Sequence, residues 1–167
     1  DPVASGLVTS LGRPGGNITG LTLLPGPEIV GKYLELLKEA VPKVSRVAML
    51  WNPGQQVHPL LLKEAEGPAR LLKLMLRPME ARGPGELESA FGGAAREGAG
   101  ALVVLPDPMF FSERARMATL AAKHRLPAMY GVREHVEAGG LMAYGPNVPD
   151  LFRRAAVYVD KILKGGK

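Results

Sequence analysis

The chain alternates short apolar runs with segments that have the apolar spacing of amphipathic helices, and this alternation constrains the fold most. The run ALVVL at 101–105 is apolar at every position, which is typical of a strand covered on both faces. Repeated strand and helix units of this kind predict an α/β fold with a doubly wound parallel sheet. The other predicted strands are 46–51, 74–81, 127–131 and 141–145, and the helices between strands lie near 59–72, 86–97, 109–123 and 132–138.

Proline marks the predicted helix starts, because the first turn leaves its N–H groups unpaired and proline has none to lose. These residues are Pro27, Pro59, Pro84 and Pro108. Two helices carry internal faults, Gly67-Pro68 and Gly92-Gly93, and the first should bend or split the helix near 59–72.

The two ends of the chain lie outside the five-strand block. The N-terminal segment predicts a short helix at 4–11, a glycine-rich turn at 12–17 and a strand at 18–24. At the other end, residues 148–164 predict one amphipathic helix whose apolar face needs a partner. Because the chain begins at Asp1 without a signal-peptide pattern, we expect a processed product or a piece of a longer protein.

Composition and charge exclude several classes of function. The chain has no cysteine, which excludes thiol nucleophiles, Cys-ligated zinc and iron–sulfur clusters. No apolar run reaches the roughly 18 residues that cross a bilayer. The net charge is +5, and the spacing of its C-terminal excess is typical of a solvated helix face rather than a nucleic-acid interface.

One segment, Gly26-x-x-x-x-Gly31-Lys32, matches the skeleton of a phosphate-binding loop. The match is poor, because Tyr33 replaces the hydroxyl that would hold magnesium and Pro27 removes an N–H group. A helix start is therefore the favoured interpretation, and a nucleotide site is the alternative.

The remaining residues give no pattern of catalysis or metal binding. His58, His124 and His135 lack metal-ligand spacing, so surface or capping roles are favoured for them. Neither a nucleophile elbow nor a triad order occurs. The sequence predicts no catalytic residue, metal ion or cofactor.

Candidate ligand-binding residues follow from the sheet, because ligands of parallel α/β proteins collect beyond the carboxyl ends of the strands. Asp107 could accept from an amine or cap the helix that Pro108 begins. The two tyrosines could line a pocket or pack at the end of the sheet, and Arg133 could bind a carboxylate or pair with Glu137. The residues at this edge are Asn52, Asp107, Tyr130, Arg133 and Tyr144.

Four stretches, 1–22, 32–53, 101–147 and 150–165, resemble the substrate-binding protein family of bacterial ABC transporters that includes tryptophan and tyrosine uptake proteins. The most specific blocks are DPV, RPGGNITG, WNP, LPDP, RLPAMYG and EAGGLMAYGPN. The resemblance implies a non-enzymatic protein with two α/β lobes and a solute in the cleft between them. It also implies a transporter permease as partner and an extracytoplasmic location, as a periplasmic, lipid-anchored or secreted protein.

The resemblance further implies how the chain is divided. Residues 1–24 would be the end of the first lobe and a hinge, 25–145 the second lobe with strand order 2-1-3-4-5, and 146–167 a hinge and a first-lobe helix. The family's earlier units would then be missing, so the helix at 148–164 could pack back on the lobe or form a homodimer. Ser5 joins the candidate site, because a helix after the DPV block could direct N–H groups at a ligand carboxylate.

The leading hypothesis is therefore the solute-binding component of a bacterial ABC importer that binds a small solute such as an amino acid. One alternative is a small α/β nucleotide-binding domain or enzyme that uses Gly26–Lys32. Another is the ligand-sensing module of a regulator, since fold alone does not decide function.

Overall fold

The computed structural model describes residues 2–3, 6–22 and 26–165. The chain divides into two compact units, one made of Asp1–Gly26 with Pro146–Lys167 and the other of Pro27–Gly145. All the strands of the described residues belong to the larger unit.

The larger unit is built on a five-stranded sheet in which every neighbouring pair is parallel. The strand order is β2-β1-β3-β4-β5, so the predicted doubly wound sheet and its order are confirmed. The direction of winding reverses between β1 and β3, which makes their carboxyl ends the switch point of the sheet. The strands are β1 (Arg46–Trp51), β2 (Met75–Glu80), β3 (Ala101–Val104), β4 (Ala128–Tyr130) and β5 (Met142–Ala143).

Six helices of the larger unit flank these strands. A 3₁₀ turn at Pro84–Glu86 precedes the third of them. The single helix predicted near 109–123 is instead two helices, because Glu113 leaves the regular helical conformation with φ −90° and ψ 12°. The helices are α1 (Ile29–Ala40), α2 (His58–Leu71), α3 (Leu87–Arg96), α4 (Pro108–Ser112), α5 (Arg114–Lys123) and α6 (Glu134–Glu137).

Apolar side chains cover the sheet on both faces, as the continuous apolar strands predict. Successive residues of β1 alternate between the faces, so Val47 and Met49 join the cluster that contains α1 and α2. Ala48 and Leu50 join the cluster that contains α3, α4 and α5. Burial on both faces fixes the sheet and therefore the positions of the loops that follow each strand.

Helix α2 continues through Gly67-Pro68 without a split, and a bend there stays a prediction. The ring of Pro68 packs against α1, where a Cβ atom on Gly31 would lie 3.1 Å from Pro68 Cγ. Gly31 and Lys32 therefore lie inside α1, and the Lys32 ammonium pairs with Glu35 at 3.0 Å. A helix with close packing accounts for the glycine, and the phosphate-loop interpretation is wrong.

The smaller unit has less regular structure than its sequence predicts. Residues 6–11 form turns and bends rather than the predicted helix, because Gly6 adopts a positive φ of 70°, and Ala4 lies outside the described residues. Residues 18–22 form no strand, and 23–24 lie outside the described residues.

The predicted C-terminal helix does form, as α7 (Val148–Leu163), and the Asn147 side chain caps it by accepting from the Asp150 N–H at 3.1 Å. No residue of α7 is buried, and Phe152 and Leu163 are 71% and 82% exposed. None of the described helices has the length and apolar character that spanning a bilayer requires.

Candidate functional site

Five of the six predicted site residues belong to the larger unit, and the sixth, Ser5, lies outside the described residues. The five follow or end their strands at the carboxyl edge of the sheet. Asn52 follows β1, Asp107 comes shortly after β3, Tyr130 ends β4, Arg133 precedes α6 and Tyr144 follows β5.

Asn52 and Asp107 are in direct contact across the switch point. The Asn52 side-chain amide donates from Nδ2 to Asp107 Oδ2 at 3.0 Å. The contact arises because β1 and β3 are adjacent in the sheet, so the residues that follow their carboxyl ends lie side by side at the switch point. The sequence therefore placed these two candidate residues at one location.

Asp107 also caps helix α4, which was the alternative role that the Asp-Pro pair suggested. It has an extended backbone, and its Oδ1 accepts from the N–H groups of Met109 at 2.7 Å and Phe110 at 3.0 Å. Capping occupies Oδ1 and leaves Oδ2 directed to Asn52. The carboxylate is thus held in one orientation by both contacts.

The turn after β1 fixes the other member of the pair. The Asn52 side-chain oxygen Oδ1 accepts from the Gly54 N–H at 2.9 Å, and its backbone oxygen accepts from the Gln55 N–H at 3.0 Å. An asparagine that closes its own turn in this way needs no ligand to orient its amide.

The pair retains hydrogen-bonding capacity after these internal contacts. A carboxylate has about four acceptor positions, and the protein contacts of Asp107 use three of them. Asn52 Nδ2 keeps a second N–H, since the contact with Asp107 uses one. Among the described residues no lysine or arginine forms an ion pair with Asp107. The free acceptor position is suited to an amino group.

His58 also connects the segments that follow β1 and β3, although it was not among the predicted site residues. Its Nδ1 accepts from the Asn52 backbone N–H at 2.9 Å, and its Nε2 lies 3.1 Å from the Pro106 backbone oxygen. Because Nδ1 is the acceptor, Nε2 carries the proton that Pro106 accepts. The ring is fully buried, so the expected surface role is wrong.

The environment of His58 favours its neutral form. Burial lowers the pKa of the imidazole, while the backbone oxygen of Pro106 and the Asp107 carboxylate act in the opposite direction. The sequence gives little indication that His58 connects these two segments, because Pro106 is 48 residues away and contributes a backbone oxygen.

The opposite end of the edge buries another pair of polar rings. Tyr130 stacks on His135 with ring centroids 4.6 Å apart, and Phe111 meets the same imidazole edge-on at 6.1 Å. The Tyr130 hydroxyl is buried without a hydrogen-bond partner in the described structure. Both His135 nitrogens are buried and make no well-aligned hydrogen bond there, although the backbone of Phe110 and of Val132 acts on the imidazole. Burial raises the pKa of Tyr130 to about 12. A surface or capping role for His135 is therefore also wrong.

The last two predicted residues are the most accessible. Arg133 donates to Glu137 Oε1 from Nε at 2.8 Å, which is the helix pairing that its spacing allowed. Tyr144 is 43% exposed. The Tyr33 hydroxyl on α1 lies close to Gly131 after β4, where an added Cβ atom would be 3.1 Å away, so Tyr33 is another aromatic group of this edge that the sequence did not indicate. Burial, with a contribution from Tyr144, raises the pKa of Tyr33 to about 12.

The fold and the edge of the sheet define an α/β unit of the periplasmic-binding-protein type. The chain belongs to the family of ABC transporter substrate binding proteins, whose pattern it matches over residues 1–167. Members of this family are binding proteins and not enzymes.

Relatives of known description agree with this assignment. The chain is 23% identical over 165 residues to a tyrosine-binding protein of Clostridioides difficile, covering 99% of the chain and 47% of that protein. It matches the crystal structure of a conserved domain protein of Vibrio cholerae with 28% identity and a TM-score of 0.85, covering 99% of the chain and 54% of that one. A domain from Streptococcus pneumoniae solved with L-Trp matches with 21% identity and a TM-score of 0.81, covering all of the chain and 55% of that domain.

The chain spans about half the length of the proteins that it matches, namely 47% of the curated relative and 54% and 55% of the two solved chains. The substrates and partners of the whole protein are therefore matters of proposal.

Proposed function

We propose that this protein is the solute-binding component of a bacterial ABC importer and that its solute is an amino acid. The pair of Asn52 and Asp107 carries the proposal, because it leaves one carboxylate acceptor position and one amide N–H at the switch point. An ammonium beside Asp107 would form a charge-assisted hydrogen bond, which is stronger than a neutral one. The free N–H of Asn52 would serve the carboxylate of the same ligand.

The proposed site lies in a cleft between two lobes. In this arrangement residues 25–145 form the second lobe, 1–24 the end of the first lobe with a hinge, and 146–167 a second hinge and a first-lobe helix. The boundaries of the compact units, Gly26/Pro27 and Gly145/Pro146, support this division. Closure of a second wall over the pair would bury the solute and exclude water.

An amino acid is favoured as the solute by the relatives as well as by the chemistry of the pair. The similar proteins include one described as tyrosine-binding and one solved with L-Trp. Tyr144 is exposed and could contact a solute side chain, whereas Tyr130 is fully buried together with its hydroxyl and would support the site from within the fold. Ser5 and Arg133 complete the proposed set of ligand-binding residues.

The proposed partners are a transporter permease, which would receive the solute outside the cytoplasm, and a second copy of the chain. The second copy is suggested by the apolar side chains that α7 exposes, including Phe152, Ile162 and Leu163. Native mass spectrometry of the isolated chain tests this homodimer, and a monomer at micromolar concentration would count against it.

The central test is calorimetric titration of the full-length protein with L-tryptophan and L-tyrosine. Asp107→Asn keeps an oxygen for the helix cap, but it removes the negative charge and turns an NH2 group toward the Asn52 amide, so we expect affinity to fall roughly 10- to 100-fold. The matched control is Glu97→Gln, since Glu97 is an exposed carboxylate beside Arg77 at the opposite edge of the sheet, and it should bind like the wild type. Unchanged affinity in Asp107→Asn, with stability alone reduced, would make Asp107 a cap and remove the proposed site.

A further inference from the structure

We propose that His58 is a positioning residue of the solute site and that its protonation weakens solute binding as the pH falls. This inference rests on the proposed function, since it assigns a regulation to the site at Asn52 and Asp107. It is carried by the hydrogen bonds of a fully buried side chain that touches no proposed ligand atom.

The contacts of His58 complete a closed ring of hydrogen bonds across the switch point. The imidazole joins the backbone N–H of Asn52 to the backbone oxygen of Pro106. Asp107, the next residue, returns to the Asn52 side chain through Oδ2 at 3.0 Å. The imidazole thus sets the separation of the two backbone segments, and that separation aligns the Asn52 amide with the Asp107 carboxylate.

Only the neutral ring can form this arrangement. Asn52 donates its N–H to Nδ1, and a protonated imidazole has an N–H at both nitrogens. Two donors would then face each other at 2.9 Å, and the backbone of Asn52 would have to move away. Because Asn52 also closes the turn through Gly54, such a movement would carry its side chain away from Asp107.

The charges around His58 are few. Within the described residues the charged group that acts on the ring is Asp107, which favours protonation, as does the backbone oxygen of Pro106. The Asn52 N–H at Nδ1 favours the neutral ring. Burial acts in the same direction as Asn52 and prevails, so the neutral ring is the form present at neutral pH. An ammonium bound at Asp107 would further disfavour a second positive charge nearby, so solute binding and protonation of His58 would oppose each other.

The experiment is a calorimetric titration of the full-length protein with L-tryptophan and L-tyrosine at pH 7, 6 and 5. We expect wild-type affinity to fall roughly tenfold over this range. His58→Asn supplies an uncharged acceptor in place of Nδ1, so it should keep measurable affinity at pH 7 and lose the pH dependence. His124→Gln is the control, since His124 lies at the end of α5 away from the site, and it should keep the wild-type profile.

A second measurement keeps this inference separate from the proposed function. Nitrogen-15 NMR of the ligand-free protein should show His58 protonated at Nε2 alone at pH 7, with the Asn52 amide signal shifting as His58 titrates. If neither amino acid binds at pH 7, the proposed solute is wrong, while these signals still support the arrangement at His58. A ring protonated at Nδ1, an Asn52 amide that does not follow the titration, or a pH profile retained in His58→Asn would overturn the inference.

Discussion

The two ends of the carboxyl edge each bury a histidine, but they satisfy it in opposite ways. At the ends of β1 and β3, both ring nitrogens of His58 have hydrogen-bond partners. At the ends of β4 and β5, neither nitrogen of His135 makes a well-aligned hydrogen bond within the described residues, and the ring is held between Tyr130 and Phe111.

This difference shows what each histidine contributes. A buried ring with two directed hydrogen bonds satisfies backbone groups that would otherwise be desolvated without a partner. A buried ring with none contributes through packing, and its polar nitrogens cost stability. The position of His58 therefore requires a side chain that accepts from Asn52 and donates to Pro106, whereas His135 fills a position that another planar ring could occupy.

Replacing each histidine with phenylalanine tests this contrast and has the largest expected effect on the free energy of unfolding. His58→Phe should lower the free energy of unfolding by about 2–4 kcal/mol, because the Asn52 N–H and the Pro106 oxygen lose their partner. His135→Phe should change it by less than about 1 kcal/mol, because the ring can still stack on Tyr130. Urea unfolding measures both, and equal losses in the two variants would contradict the distinction.

Packing at the second end can be disturbed without touching a ring. Gly140→Ala would place a Cβ atom 2.7 Å from Tyr130 Cε2 and 2.8 Å from the His135 backbone oxygen. We expect a loss of about 1–3 kcal/mol, since the stacked rings have little space to move. Gly83→Ala is the control, because nothing lies within 4 Å of its added Cβ and its φ of −157° suits any residue. A Gly140→Ala protein as stable as this control would show that the second end is loosely packed.

The sequence predicted the sheet well because its central strands, β1 and β3, are continuous apolar runs. The run ALVVL identified β3 to within one residue, and the alternation of strands and helices predicted a parallel sheet. The order of the strands was implied by the family resemblance. The failures occurred where a single backbone conformation decides the outcome. Gly6 turns the chain within the predicted first helix, and Glu113 interrupts the predicted helix near 109–123.

The candidate site was partly predictable for a related reason. Asn52 and Asp107 each follow a strand, so adjacency of β1 and β3 brings them together. The role of His58 could not be predicted, because its partners are backbone atoms whose position only the folded chain defines. The unpartnered state of His135 is likewise a property of packing and not of residue type.

The smallest expected effect is the response of stability to acid, to which both histidines contribute. Burial lowers the pKa of His58 and of His135 below the ordinary value of 6.5. For His135 it prevails over the backbone of Phe110 and of Val132, which act in the opposite direction. The unfolded chain therefore takes up protons at higher pH than the folded one, so stability is complete above pH 6.5 and declines as the pH falls through the lower folded values.

The two histidines can be separated because only His58 requires a neutral ring for its hydrogen bonds. Removing the titration of His135 with His135→Phe should make the urea midpoint less sensitive to pH between 7 and 5, since one of two groups that resist protonation is gone. The sensitivity should fall further in His135→Phe combined with His58→Asn. A single variant with the full wild-type slope would mean that the pKa of His135 is the same in the folded and the unfolded protein.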